Sequence, residues 1–177
     1  MKRTFTVLAT MILVVLPLAH VFAAEGEHEH AAMGASALDP FKQLAGDWVG
    51  KGGAGDQQMD AAVNYRVTAS GSAVMETIFP GTPHEMITMY TLEKGALVLT
   101  HYCTMGNQPH MRARAGTPAN ELMFEFVSGA GINPAKDSHM HNARYTFIDA
   151  DHIHSEWSDW EKGKLAQVMK FDLERKK

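Results

Sequence analysis

From Gly46 to Glu174 the chain is a succession of short apolar and polar alternations, each cut by glycine, proline, asparagine or aspartate. This pattern limits the fold more than any other feature. Alternation puts every second side chain on one face of a strand, so a sustained two-residue period reads as half-buried β-structure. Strands are expected at about 46–53, 60–69, 72–80, 84–93, 96–104, 108–115, 121–128, 138–148, 152–160 and 164–174. Leu122, Phe124 and Phe126 alternate with Met123, Glu125 and Val127, while Leu165, Met169, Phe171 and Leu173 mark one face of the last strand. The dividers carry strong turn chemistry, among them Ser70-Gly71, Pro80-Gly81-Thr82-Pro83, Lys94-Gly95, Gly106-Asn107 and Lys162-Gly163. So many short strands joined by tight turns describe an all-β antiparallel meander. Closing it into a roughly ten-stranded barrel removes the unpaired edges, with a sandwich as the alternative. Ahead of the strands, Asp39-Pro40 reads as an N-cap and first helical residue, opening a short helix through Phe41 and Leu44. Residues 129–137, with Gly131, Asn133 and Pro134, form the longest irregular stretch and are expected at a barrel mouth.

The first 23 residues have a different character. Lys2 and Arg3 precede an apolar run from Val7 to Leu18, and Val21-Phe22-Ala23 leads into a polar stretch, which is the pattern of a secretory signal peptide cleaved after Ala23. The apolar run is short for a membrane span, so no stable membrane insertion is expected after its removal. Export to the periplasm or beyond follows, yet the single cysteine, Cys103, excludes an internal disulfide. Residues 24–37 read as a flexible leader and 38–177 as the barrel domain. The leader's His28, His30 and Met33 are of types that suit copper or zinc, but they sit in a segment without periodicity. Without Lys2 and Arg3 the chain keeps 14 basic residues against 20 acidic ones, a balance that argues against nucleic-acid binding.

Chemistry gathers at the far end of one strand. In Leu97 to Met111 an apolar face of Leu97 and Leu99 finishes in His101 and Cys103, with Val98, Thr100 and Tyr102 on the other side. Such a strand suits the wall of a ligand cavity, with His101, Tyr102 and Cys103 at its polar end. His139 and His141 stand two apart on a strand bordering the irregular loop, so they are expected to share a side and, with His101, to offer three imidazoles to a divalent metal such as zinc or copper. Whether His152 and His154 join that side depends on the parity of the preceding hairpin loop. Glu76 alternates with Val74 and Ile78, and a carboxylate on an apolar face requires a partner; Arg112 and Arg114 are candidates. Asn107 has a turn role, with an amide able to hold a ligand polar group. The twelve methionines, Met86, Met105, Met140 and Met169 among them, would serve as core filling or as an adaptable lining. No nucleophile elbow, phosphate loop, dinucleotide fingerprint or His-Glu-x-x-His helix occurs, so an enzyme is not argued for.

The segment Leu44-Ala45-Gly46-Asp47-Trp48-Val49-Gly50-Lys51-Gly52 resembles the opening of nitrobindin-like and other lipocalin-like barrel proteins. Thr100-His101-Tyr102-Cys103, Gly106-Asn107-Gln108-Pro109 and His139-Met140-His141 resemble a family of uncharacterised exported bacterial proteins of that calycin-like kind, over about residues 40–174. The resemblance implies that Trp48 plugs one end of a calycin-like barrel. Nitrobindins hold haem through a histidine near the C-terminal end of the barrel, whereas Lys164 to Glu174 contain none, so the fold is carried over and haem is not. The reading is an exported protein that binds a small, largely apolar ligand near His101, Tyr102, Cys103, Asn107, Arg112 and Glu76. The alternatives are a metal protein or metal-dependent enzyme using His101, His139 and His141, and a structural or interaction protein with a filled barrel.

Overall fold

A computed structural model describes residues 36–177, so the expected signal segment and the leader through residue 35 lie outside the described residues. A short helix, α1 (Asp39–Gln43), precedes ten strands: β1 (Gly46–Ala54), β2 (Gln57–Thr68), β3 (Ala73–Ile78), β4 (Met86–Glu93), β5 (Ala96–Tyr102), β6 (Pro109–Ala113), β7 (Glu121–Gly129), β8 (His139–Phe147), β9 (His152–Glu161) and β10 (Lys164–Arg175). Each strand pairs antiparallel with its neighbours in sequence, and β1 pairs with β10, so the sheet closes into a barrel. Closure satisfies the backbone donors and acceptors that an open sheet would leave at its edges. No helix of the described residues is long and apolar enough to cross a membrane.

Turn chemistry sets the register. Lys94-Gly95 and Lys162-Gly163 each place two successive residues at positive φ, the type I′ geometry whose twist matches that of the flanking strands. The helix begins one residue earlier than Asp39-Pro40 alone indicates: Leu38 is the N-cap and Asp39 lies in the first turn. There its carboxylate accepts the Ser36 N–H at 2.7 Å, and this bond, followed by Lys42, lowers its pKa. Its negative charge also suits the positive end of the helix.

The helix closes one end of the barrel. Phe41 is fully buried, stacked on Tyr90 at a centroid distance of 3.9 Å and set edge-on to Tyr145 at 5.1 Å. Trp48, also fully buried, donates its indole N–H to the Leu44 carbonyl at 2.7 Å and meets Tyr65 edge-on. Outside it, the Arg175 guanidinium lies 4.4 Å from the centre of the Trp48 ring and donates to the carbonyls of Gln43, Ala45 and Ala150. Arg175 therefore fastens the helix to the strand ends. The core runs from this plug through Phe124, Leu99, Met111 and Val74 toward the opposite end.

Candidate functional site

Register across four strands assembles a polar row inside this core. Tyr65 on β2 stands opposite Glu76 on β3, Glu76 opposite Thr88 on β4, and Thr88 opposite His101 on β5. All four are buried. Glu76 accepts from the Tyr65 hydroxyl at 2.6 Å and the Tyr90 hydroxyl at 2.7 Å, with the Tyr145 hydroxyl at 3.4 Å. Burial raises the Glu76 pKa while these hydroxyls and Thr88 hold it down. The tyrosines are pushed well above the ordinary phenol range, first by burial and then by the neighbouring carboxyl, and remain donors. This arrangement corrects the expectation for Glu76. Its partners are neutral hydroxyls, and Arg112 and Arg114 instead lie outside the barrel, 3.4 Å from Glu93 and 3.5 Å from Glu125 respectively.

The row ends at a cavity of about 210 Å³. The helix sits where β8 ends and β9 begins, whereas the cavity sits where β8 begins and β9 ends, so the two occupy opposite ends of the barrel. Its wall is largely apolar: Ile78, Phe79, Met86, Met140, Met169 and Phe171, with Trp157 against His101 at a centroid distance of 4.8 Å. His101, Cys103 and Asp159 supply its titratable groups. His101 bonds Thr88 Oγ1 through Nδ1 at 3.0 Å, and burial drives its pKa down to about 4, so the ring is neutral at physiological pH. Burial, with Asp159 nearby, pushes the Cys103 thiol up despite hydrogen bonds from Thr104 and Met105, which keeps it protonated and unreactive at neutral pH. The buried Trp157 N–H finds no acceptor, although the Tyr145 ring lies edge-on to the same indole. A hollow beside α1, lined by Pro40, Leu44, Phe147 and Arg175, lies outside the barrel, away from this row.

The mouth is braced by polar contacts. The Asn107 side-chain amide donates to the Ser138 carbonyl at 2.8 Å, and the Ser138 hydroxyl donates to Asp159 at 2.9 Å. Asn107 thus ties the loop after β5 to the start of β8. Tyr102 is 48% exposed and points away from the cavity that its neighbours His101 and Cys103 line.

The histidine pair lies elsewhere. A register shift between Met140 and Asn142 makes His141 an extra residue in β8 and breaks the alternation there. Met140, opposite Asp159, enters the cavity wall instead. His139 Nε2 and His141 Nδ1 share a hydrogen bond of 2.9 Å, and His141 stacks on Trp160 at 4.0 Å and on Phe126 at 5.5 Å. Burial and then His139 lower the His141 pKa. Among the described residues no three His, Cys, Asp or Glu side chains gather as a metal-holding group, so the trio of His101, His139 and His141 is not assembled. Phe147 pairs with Ile153, an odd loop parity that turns His154 outward to Asp172 at 2.6 Å and leaves His152 on Asp149. Among the described residues, His101 is the one histidine of the cavity wall. The cavity is smaller than the roughly 300–1,000 Å³ of pockets for drug-sized ligands.

Sequence reasoning did not find Asp159, Trp157 or Phe79. Asp159 continues the alternation of Ile153, Ser155 and Trp157, so its side follows once that strand's facing is fixed. No protein-family model matches the sequence, and no curated protein matches it at a significant level. Among solved structures, Rv2717c from M. tuberculosis is similar with a TM-score of 0.55 and 18% identity, over 81% of this chain and 99% of that one. A protein of unknown function from the DUF3598 family of Nostoc punctiforme PCC 73102 is similar with a TM-score of 0.53 and 11% identity, over 76% of this chain and 48% of that one. The chain therefore spans about half the length of the Nostoc protein. At these identities the likeness is one of fold.

Proposed function

We propose that this is an exported, lipocalin-like binding protein of calycin type that holds a small, largely apolar ligand in the barrel cavity beside His101, Cys103 and Asp159. The observation that carries the reading is the cavity, about 210 Å³ walled by thioethers and aromatic rings at the end away from the helix plug. An apolar cavity of about 150 Å³ is enough to hold benzene, so this volume suits a single-ring or short-chain molecule. Methionines on the wall adapt to ligand shape, while the buried row behind His101 fixes the ring that meets the ligand. The export part of the proposal rests on Lys2-Arg3, the apolar run and Val21-x-Ala23. Intact mass of the protein from its own cell is expected to place its N-terminus at Ala24; a main species retaining residues 1–23 would refute export.

The binding part is tested with toluene. Methyl resonances of Met86, Met140 and Met169 are expected to shift on titration, and Met140→Trp, which fills the space, is expected to abolish the shifts. Resonances unmoved by toluene and equally by its amine and alcohol analogues would refute the reading.

A further inference from the structure

Asp159 is only 7% exposed, and both of its carboxylate oxygens accept from neutral donors: Ser138 Oγ at 2.9 Å and Gln167 Nε2 at 3.3 Å. Among the described residues no lysine or arginine lines the cavity and no ion pair includes Asp159. His101, neutral because burial holds its pKa to about 4, adds no positive charge. A buried carboxylate held only by neutral hydrogen bonds has no opposite charge beside it, and each oxygen retains a lone pair for another donor. The same wall presents Trp157, Phe79 and Phe171, whose ring faces attract cations, and methionine sulfurs that polarise toward them. A carboxylate ligand would instead meet Asp159 across a weakly screening interior, where like charges repel strongly.

We infer that the cavity selects an organic ammonium ion of about one ring in size, its charged nitrogen on the Asp159 carboxylate and its apolar body against Trp157, Phe79 and Phe171. The inference rests on the proposed reading of the cavity as a ligand site and names the chemical class that it takes. It also accounts for a carboxylate at a mouth position where a purely apolar ligand would be served better by a residue without charge.

The test compares benzylamine, benzyl alcohol, toluene and benzoate on the full protein near neutral pH, followed by calorimetry and by the Met methyl resonances. Benzylamine is expected to bind at least about tenfold more tightly than benzyl alcohol, the range for a hydrogen bond between charged groups, and benzoate most weakly. In Asp159→Asn the advantage of benzylamine over benzyl alcohol is expected to disappear. The ranking in the unaltered protein decides the matter even where the variant does not fold. Benzylamine binding no tighter than benzyl alcohol, or an undiminished preference in a folded Asp159→Asn protein, would overturn the inference. Toluene binding without any preference for the amine would overturn it alone, whereas failure of every probe would overturn the ligand-site reading as well.

Discussion

Replacing His101 with glutamine removes a titrating group from the core while leaving a polar side chain opposite Thr88, and its effect on acid stability follows from one displaced equilibrium. In the unfolded chain the imidazole takes a proton near its ordinary pKa of 6.5, but in the folded barrel burial delays protonation to about 4. Between those values the unfolded chain binds more protons, so acid draws the equilibrium toward it. The contribution of His101 is thus present above about pH 6.5 and is lost as pH falls toward 4. A displacement of this size amounts to about 3 kcal/mol in full, most of it lost by about pH 4.5. Glu76 acts in the opposite sense, because its raised pKa gives stability that is present at low pH and lost as pH rises through its folded value. Glu76 is common to both proteins, so the difference between them isolates His101. Urea unfolding across about pH 4.5–7.5 is expected to show the wild type losing roughly 2–3 kcal/mol more than His101→Gln. Parallel stability curves would show that His101 is hydrated or protonated in the folded state, and the neutral cavity wall would then be wrong.

Trp48→Ala removes a fully buried ring and its 2.7 Å bond to Leu44. A loss of about 3–5 kcal/mol is expected, seen as a fall in Tm of roughly 10–20 °C; an unchanged Tm would place Trp48 outside the closing plug. At Gly50 an added Cβ would stand 2.0 Å from the Asp172 carbonyl oxygen across the β1–β10 seam. Gly50→Ala is expected to destabilise by about 1–3 kcal/mol with faster hydrogen exchange confined first to that seam, and normal seam protection would contradict the close approach. His141→Ala removes a ring stacked on Trp160 and Phe126 and is expected to cost about 1–2 kcal/mol while leaving toluene affinity intact. Lost toluene binding in the folded variant would return that histidine to the site.

The barrel was legible because a two-residue period survives along each strand and because the strands succeed one another without a long crossover. Tyr65 with Val63, Glu76 with Val74 and Ile78, and His101 with Leu99 all kept the shared side that alternation assigns them. The site was legible only in part. His101 and Cys103 reached the cavity as their strand requires, but a bulge is one residue of slip with no compositional mark. The shift beside His141 exchanged Met140 for the histidine pair, and the odd β8–β9 loop turned His154 outward. Glu76 shows a second limit. A carboxylate on an apolar face invites a search for an opposite charge, yet its nearest neighbours are fixed by height in the sheet, and there the register offers Tyr65 and Thr88.

Glu76 and Asp159, both buried carboxylates, differ in the company they keep. Glu76 accepts from three phenol hydroxyls and stands opposite Thr88, so its hydrogen-bonding needs are met within the protein. Asp159 has equally neutral partners but stands on a wall with empty space before it. Bracing Ser138 and Gln167 uses one lone pair on each oxygen, which leaves both oxygens able to accept from a donor in the cavity. Keeping a charge at the cavity surface is favourable when something of opposite sign enters, and that is the difference that the amine and alcohol probes measure.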